Sequence, residues 1–397
     1  MSRRVALLLW ICVHATLALD DPIIEDSDLN TLELLEKYGY PAENHTVQTE
    51  DDYFLNIHRI PRPNAKPVLL MHGLLDSSAT WVIMGPEKGL GYWLYDQGYD
   101  VWMGNVRGNT YCRKHASYTP DDSEFWDFSF HEIGIFDLPK IIDHVLEQTD
   151  STQLHYIGHS QGTTSFWIMG SERPEYMEKI QFMQALAPVA FFKDCKSPPL
   201  NFLGATPLSS TLLLQMLGAN EFLPQTEFTE TVSAAVCDGT EFGARLCSNT
   251  LFLFTGFDKE QLNETMLPTI LGHAPAGAST KQILHFGQMK SLNDFRKYDY
   301  GPFENQLRYK NFLPPKYKLE NVNAKVALYY GLNDWLAQPG DVTTLYFKLP
   351  NVQFKYLVDY PKFNHLDFMW GIDARELLYN RMLESMRYYE NEQEINL

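Results

Sequence analysis

Apolar positions along this chain fall into two rhythms. Short apolar or alternating stretches read as strands: "DYFLNIHRI", "KPVLLMHGLL", "GYDVWMGNVRGN", "QLHYI", "KIQFMQALAPVAFF", "AKVALYYGLND" and "NVQFKYLVDY". Between them lie segments with helical spacing. In "DLPKIIDHVLEQT" the apolar positions are Leu138, Ile141, Ile142 and Val145, and "TTSFWIMGS", "DVTTLYFKL" and "ARELLYNRMLESMRYYE" read likewise. Nearer the start, "TLELLEKYGYPAENHTV" predicts a short helix and a turn at Gly39 to Pro41. Strands alternating with helices predict an α/β fold, a mainly parallel sheet with helices on both faces. Residues 191–318 break the alternation. They are rich in Phe, Leu, Pro and Thr, and read as a mostly helical cap inserted into a core made of residues 20–190 and 319–397.

The first residues follow a third pattern. Arg3 and Arg4 precede "VALLLWICVHATLAL", and the small residues Thr16 and Ala18 precede an acidic pair. This predicts a signal peptide over residues 1–19, since the run is short for a membrane span and His14 interrupts it. No later stretch is long and apolar enough to cross a bilayer, so the mature chain is expected to lack a transmembrane segment. The expected destination is extracellular, with the lysosome as the alternative. Loss of the segment takes Arg3 and Arg4 and no acidic residue, which lowers the formal charge from −18 to −20. So acidic a chain argues against a nucleic-acid partner, because phosphate binding needs clustered Lys and Arg.

Cysteine usage fits that compartment. Cys12 leaves with the signal, and Cys112, Cys195, Cys237 and Cys247 remain. Cys237 and Cys247 are spaced to close a short loop, whereas spacing does not decide whether Cys112 and Cys195 pair. No C-x-x-C pair or clustered histidine suggests zinc. Asn44 in "NHT" and Asn263 in "NET" are glycosylation acceptors.

The candidate chemistry centres on Ser160. Gly158-His159-Ser160-Gln161-Gly162 has the G-x-S-x-G spacing of a nucleophile elbow, with the strand "QLHYI" before it and the helix "TTSFWIM" after it. Small neighbours leave room for a strained turn that lifts the hydroxyl into a cleft. A serine hydroxyl is a poor nucleophile until a base takes its proton. In this architecture an acid and then a histidine follow the serine in the chain. His365, in the loop after "NVQFKYLVDY", is the best placed of twelve histidines. Asp334, at the end of "VALYYGLND", is the preferred acid, with Asp341 and Asp359 as competitors. Its job is to hold the imidazole in the useful tautomer. The oxyanion donors are expected to be the backbone N–H groups of Gln161 and of Leu74, which follows His72-Gly73 at the end of an early strand. His72 itself reads as a packed strand-end histidine with no proton to transfer.

At these residues the chain resembles the acid lipase family, which includes gastric lipase, lysosomal acid lipase and secreted insect digestive lipases. The resemblance is carried by "HGLLDSSATW", "GYDVWMGNVRGNTY", "DSEFWDFSFHEIGIFDLP", "QLHYIGHSQGTT", "HAPAGAST", "GLNDWLAQPGDV" and "FNHLDFMWG". It spans residues 30 to 390 or so. It implies an α/β-hydrolase fold with a cap, Ser160, Asp334 and His365 as the triad, and Leu74 and Gln161 as oxyanion donors. It also implies a cap disulfide between Cys237 and Cys247. Cys112 and Cys195 depart from the family pattern and suggest a second disulfide. No cofactor and no metal are implied.

The expected reaction is hydrolysis of lipid carboxylic esters, triacylglycerol and cholesteryl ester among them. In the cap, "PLSSTLLLQMLGANEFLP" would place Leu212, Leu213, Met216 and Leu217 on one side of a helix, either buried within the cap or forming a lid that meets a lipid interface. Phe202, Phe222, Phe252 and Phe254 would be core or acyl-chain lining. The rival readings are a carboxylesterase for soluble esters and a non-catalytic lipid-binding protein.

Overall fold

The structure is a computed structural model that describes residues 22–205, 220–224 and 252–395. The sheet is built from β1 (Glu43–Gln48), β2 (Tyr53–Ile60), β3 (Pro67–Met71), β4 (Asp100–Gly104), β5 (Leu154–His159), β6 (Ile180–Leu186), β7 (Val326–Tyr330) and β8 (Val352–Leu357). Their spatial order is β1-β2-β4-β3-β5-β6-β7-β8, and the two-residue strand Lys114–His115 pairs beside β2. β1 and β2 form an antiparallel entry, and β2 runs antiparallel to β4. All pairs from β4 to β8 are parallel. The chain therefore forms the α/β fold that its alternation predicts, and β3 to β6 are buried on both faces as central parallel strands are.

The main helices of this frame are α1 (Leu138–Thr149), α2 (Gln161–Glu172), α3 (Pro339–Lys348) and α4 (Asn380–Ile395). Ile141, Ile142 and Val145 of α1 are buried, the face its spacing predicts. Helix α2 is buried from Gln161 to Ser171. Between β6 and β7 the described chain carries the helices Pro198–Ala205, Leu267–His273, Thr280–Leu292 and Pro302–Tyr309. The segment Glu221–Phe222 pairs with Ala278–Ser279 in a separate two-stranded sheet.

β1 and the helix Leu90–Asp96 are among the elements that escape the sequence reading. β1, "ENHTVQ", is polar and mostly exposed, so it lacks an apolar signature and owes its form to pairing with β2. The helix Leu90–Asp96 is short and largely buried, which hides its periodicity. Asn44 lies exposed on β1. Asn263 is half-buried, and its side chain accepts Thr265 N–H at 3.2 Å and the Thr265 hydroxyl at 2.7 Å.

The suggested pairing of Cys112 with Cys195 does not occur. Both are buried free thiols. Cys112 Sγ lies 3.2 Å from Asn56 N on β2, while the residue after Cys195 donates to Trp335 O in the loop after β7. Strands β4, β3, β5 and β6 stand between β2 and β7. A disulfide tolerates a Cα separation of only about 7 Å. Cys237, Cys247, the segment Leu212–Leu217 and the first 21 residues lie outside the described residues.

Candidate active site

Every group singled out around Ser160 lies where a parallel strand ends. β5 runs into Ser160, whose backbone adopts φ 50° and ψ −115°, and α2 starts at the next residue. A side chain on Gly162 would bring its Cβ within 2.3 Å of Met71 O, and one on Gly158 within 2.9 Å of Gly162 C. The two glycines thus let α2 press on the end of β3 and permit the sharp turn. Ser160 is half-buried, with its N–H bound to Leu186 O at 3.0 Å and its carbonyl taken by Thr163 N at 2.9 Å.

The hydroxyl faces an imidazole. His365 Nε2 lies 2.8 Å from Ser160 Oγ, and His365 Nδ1 lies 2.8 Å from Asp334 Oδ2. Asp334 is fully buried, and its other oxygen accepts Leu336 N–H and Ala337 N–H, each at 2.8 Å. A carboxylate only accepts, so the Asp334 contact places the proton on Nδ1 and leaves the Nε2 lone pair facing the serine hydroxyl. Of the competing acids, Asp341 is tied to Lys193 N and Asp194 N at 2.9 Å, and Asp359 is exposed.

His365 is held from two sides through its backbone. His365 N donates to Thr255 O at 3.4 Å, and His159 Nε2–H donates to His365 O at 2.9 Å. The His159 and His365 ring centroids are 4.9 Å apart. Burial pushes His159 down to about 3, so its imidazole stays neutral beside the base.

The loop after β3 closes against the serine. A Cβ on Gly73 would lie 3.2 Å from both Ser160 Cβ and His159 Nδ1. His72 has more to do here than its sequence context suggests. Its Nδ1 lies 2.8 Å from Gly73 O, so it donates there. Its Nε2 accepts Val106 N–H at 3.3 Å and faces Asn109 Nδ2 at 3.3 Å. In a planar trans peptide the carbonyl and the next N–H point in opposite directions. Fixing Gly73 O therefore also fixes the direction of Leu74 N–H. Burial holds His72 near 4, neutral and in one tautomer. No short-range sequence signal reveals this, since Val106 and Asn109, which fix the other ring nitrogen, lie some thirty residues away.

Gln161 supplies the other candidate N–H, as the first residue of a helix whose opening N–H groups have no intrahelical acceptor. Its side chain is buried and donates to Gln282 Oε1 at 2.7 Å, which links the elbow to the helix Thr280–Leu292. Phe252 is buried, Phe222 half-buried, and Phe202 and Phe254 exposed. No group of His, Cys, Asp or Glu among the described residues could hold a metal ion. No helix among them is long and apolar enough to cross a membrane. The arrangement as a whole can make an alkoxide from Ser160, shuttle its proton through His365 and hold negative charge at two backbone N–H groups.

Comparison with known proteins agrees with this geometry. Residues 31–85 match the partial alpha/beta-hydrolase lipase region, and residues 66–372 match the alpha/beta hydrolase fold. Lipase 1 of Drosophila melanogaster is 46% identical, over 91% of this chain and 80% of that protein. Gastric triacylglycerol lipase of Rattus norvegicus is 41% identical, over 91% and 92%. Lysosomal acid lipase/cholesteryl ester hydrolase of Homo sapiens is 38% identical, over 92% of each. Among solved structures, a candidate lipase from Sulfolobus solfataricus superposes with a TM-score of 0.62 at 11% identity, covering 87% of this chain and 94% of that one, a likeness of fold alone. The chain belongs to the α/β-hydrolase fold family, among its lipases, and is an enzyme of a serine hydrolase family.

Proposed function

We propose that the protein hydrolyses lipid carboxylic esters through an acyl-enzyme on Ser160. The observation that carries this reading is the unbroken relay from Ser160 Oγ through His365 to Asp334, 2.8 Å at each step. Ser160 Oγ attacks the ester carbonyl carbon as its proton passes to His365 Nε2. The tetrahedral oxyanion is held by Leu74 N–H and Gln161 N–H. Its collapse breaks the ester C–O bond, and the proton on Nε2 goes to the departing alcohol. Water then attacks the acyl-enzyme, His365 again taking the proton, and fatty acid leaves with Ser160 restored. Asp334 orients the imidazole and stabilises its charged form without being protonated itself.

The substrate class follows from the relatives. Gastric triacylglycerol lipase and lysosomal acid lipase/cholesteryl ester hydrolase point to triacylglycerol first and cholesteryl ester second. The reading extends to residues 191–318 as a cap over the strand ends, to a signal peptide at 1–19 with secretion or lysosomal delivery, to glycans on Asn44 and Asn263, and to a cap disulfide between Cys237 and Cys247.

The test is turnover of emulsified trioctanoin, a cholesteryl ester and a short soluble ester, by the parent and by Ser160→Ala. The expected result is activity that jumps once the lipid exceeds its solubility, and loss on the order of a millionfold in kcat for Ser160→Ala. A folded Ser160→Ala protein with near-parent turnover defeats the reading. A smooth saturation curve on soluble ester, with no rise on emulsion, favours the carboxylesterase instead.

A further inference from the structure

Behind His365, the inserted segment and the base loop meet through two carboxyl groups. Asp258 and Asp367 are 1% and 4% exposed, and their carboxyl groups lie within hydrogen-bonding reach of one another. An ionised carboxylate has no donor, so a hydrogen bond between them needs a proton on one of the two. One carboxyl oxygen of the pair is buried without any other partner. Asp258 Oδ2 meets no hydrogen-bond donor among the described residues, while Oδ1 accepts Glu260 N–H at 3.0 Å. Asp367 Oδ2 accepts Asn364 N–H at 2.6 Å.

The surrounding charges add to the demand for a proton. The charge of Asp334 acts on Asp367 and that of Glu260 on Asp258, each favouring the protonated form. Lys362 is engaged by Glu260 at 2.5 Å, and the Tyr360 hydroxyl donates to Glu260 at 2.6 Å. Burial pushes both carboxyls up, Asp367 well above the usual range, and the charge of the partner carboxylate pushes Asp367 further the same way.

The pair also sits on the backbone that carries the base. Asn364 Nδ2 donates to Gly256 O at 3.0 Å, and Asn364 Oδ1 accepts Leu366 N–H at 2.8 Å. With Thr255 O taking His365 N–H, residues 255–258 and 364–367 are joined on both sides of the imidazole.

We propose that Asp258 and Asp367 share one proton and act together as positioning residues for His365, holding the base loop against the segment 255–258 while that proton is present. The inference rests on His365 being the base of the proposed reaction. When the proton leaves for solvent, two like charges remain in contact in a buried site and the loop loosens. Turnover then has an alkaline limit, where ionisation of the pair misplaces the base.

The experiment is kcat and KM against pH on a short soluble ester, for the parent, Asp258→Asn, Asp367→Asn and Ser160→Ala. An amide at either position donates the hydrogen bond without needing the proton, and at 367 it keeps an oxygen for Asn364 N–H. The alkaline fall of kcat should move up by about one pH unit or more in either amide variant, with KM little changed. Two variants guard against one failing to fold. Amide profiles that superimpose on the parent, or that are lowered in parallel at every pH as loss of packing would do, overturn the proposal. Should Ser160→Ala retain turnover, the assignment of the site fails and this inference goes with it. Loss in Ser160→Ala beside unshifted amide profiles sinks the inference alone.

Discussion

The strand ends and the inserted segment solve opposite problems. At the ends of β3, β5, β7 and β8 the groups of the candidate site are held by hydrogen bonds. Ser160 is seated by Leu186 O, Asp334 by two N–H groups, and Gly73 O by His72. The segment between β6 and β7 instead leaves large apolar side chains in water. Phe303 is 86% exposed and Leu307 67%, and Phe202, Phe254, Phe312 and Leu313 are exposed as well. Preorganisation belongs to the first region, since a transition state rewards fixed dipoles. We propose that the second region supplies apolar contact area to an insoluble substrate.

That contrast can be broken by substitution. The largest effect is expected from Asp334→Asn, which keeps the shape but spoils the tautomer. It should lower kcat on the order of ten-thousandfold on soluble and emulsified esters alike, with the melting temperature little moved. His72→Leu removes the hold on Gly73 O. A loss of about a hundredfold in kcat on both substrates is expected, and an unchanged kcat would mean that Leu74 N–H needs no such support. Replacing Phe303 and Leu307 by Ser should cut the emulsion rate roughly three- to tenfold and leave the soluble-ester rate alone, which titration of rate against emulsion area would read. Equal losses on both substrates would erase the distinction between the two regions.

The smallest effect concerns stability against pH. Burial lowers His58 and His72 to about 4, and His159 and His285 to about 3, against 6.5 in the unfolded chain. Groups lowered in this way stabilise the fold above 6.5, and that contribution is lost as pH falls towards 4 and 3, by about 3–5 kcal/mol each. Asp76 acts in the other direction. Burial raises it to about 7 against 3.8, so its contribution is present at low pH and lost as pH rises through 7. The two windows overlap, and four imidazoles outweigh one carboxyl, so the melting temperature should fall as pH drops below about 6.5. A melting temperature that is flat from pH 4 to 7 would contradict neutral burial of the four imidazoles.

The same division sets what could be read in advance. The central strands announce themselves because burial on both faces demands unbroken apolar runs, such as Val68–Met71. The elbow is legible because its steric demand is local, with both glycines within two residues of Ser160. His365 and Asp334 follow from chain order. Other features depend on approaches that no window of sequence contains. The partners of His72 arrive from β4 and its loop, Asp258 meets Asp367 across more than a hundred residues, and Cys112 and Cys195 end up on opposite sides of four strands. β1 is missed for a different reason, since an exposed polar edge carries no apolar rhythm.

The backbone of Ser160, at φ 50°, limits which nucleophiles the scaffold can ever accept. A branched Cβ is badly strained at positive φ, so threonine is barred from this position even though its hydroxyl chemistry is equivalent. Cysteine shares the unbranched shape of serine and meets no such barrier. Any natural or laboratory drift towards a different acyl acceptor in this protein therefore leads to a thioester, and not to a secondary alkoxide.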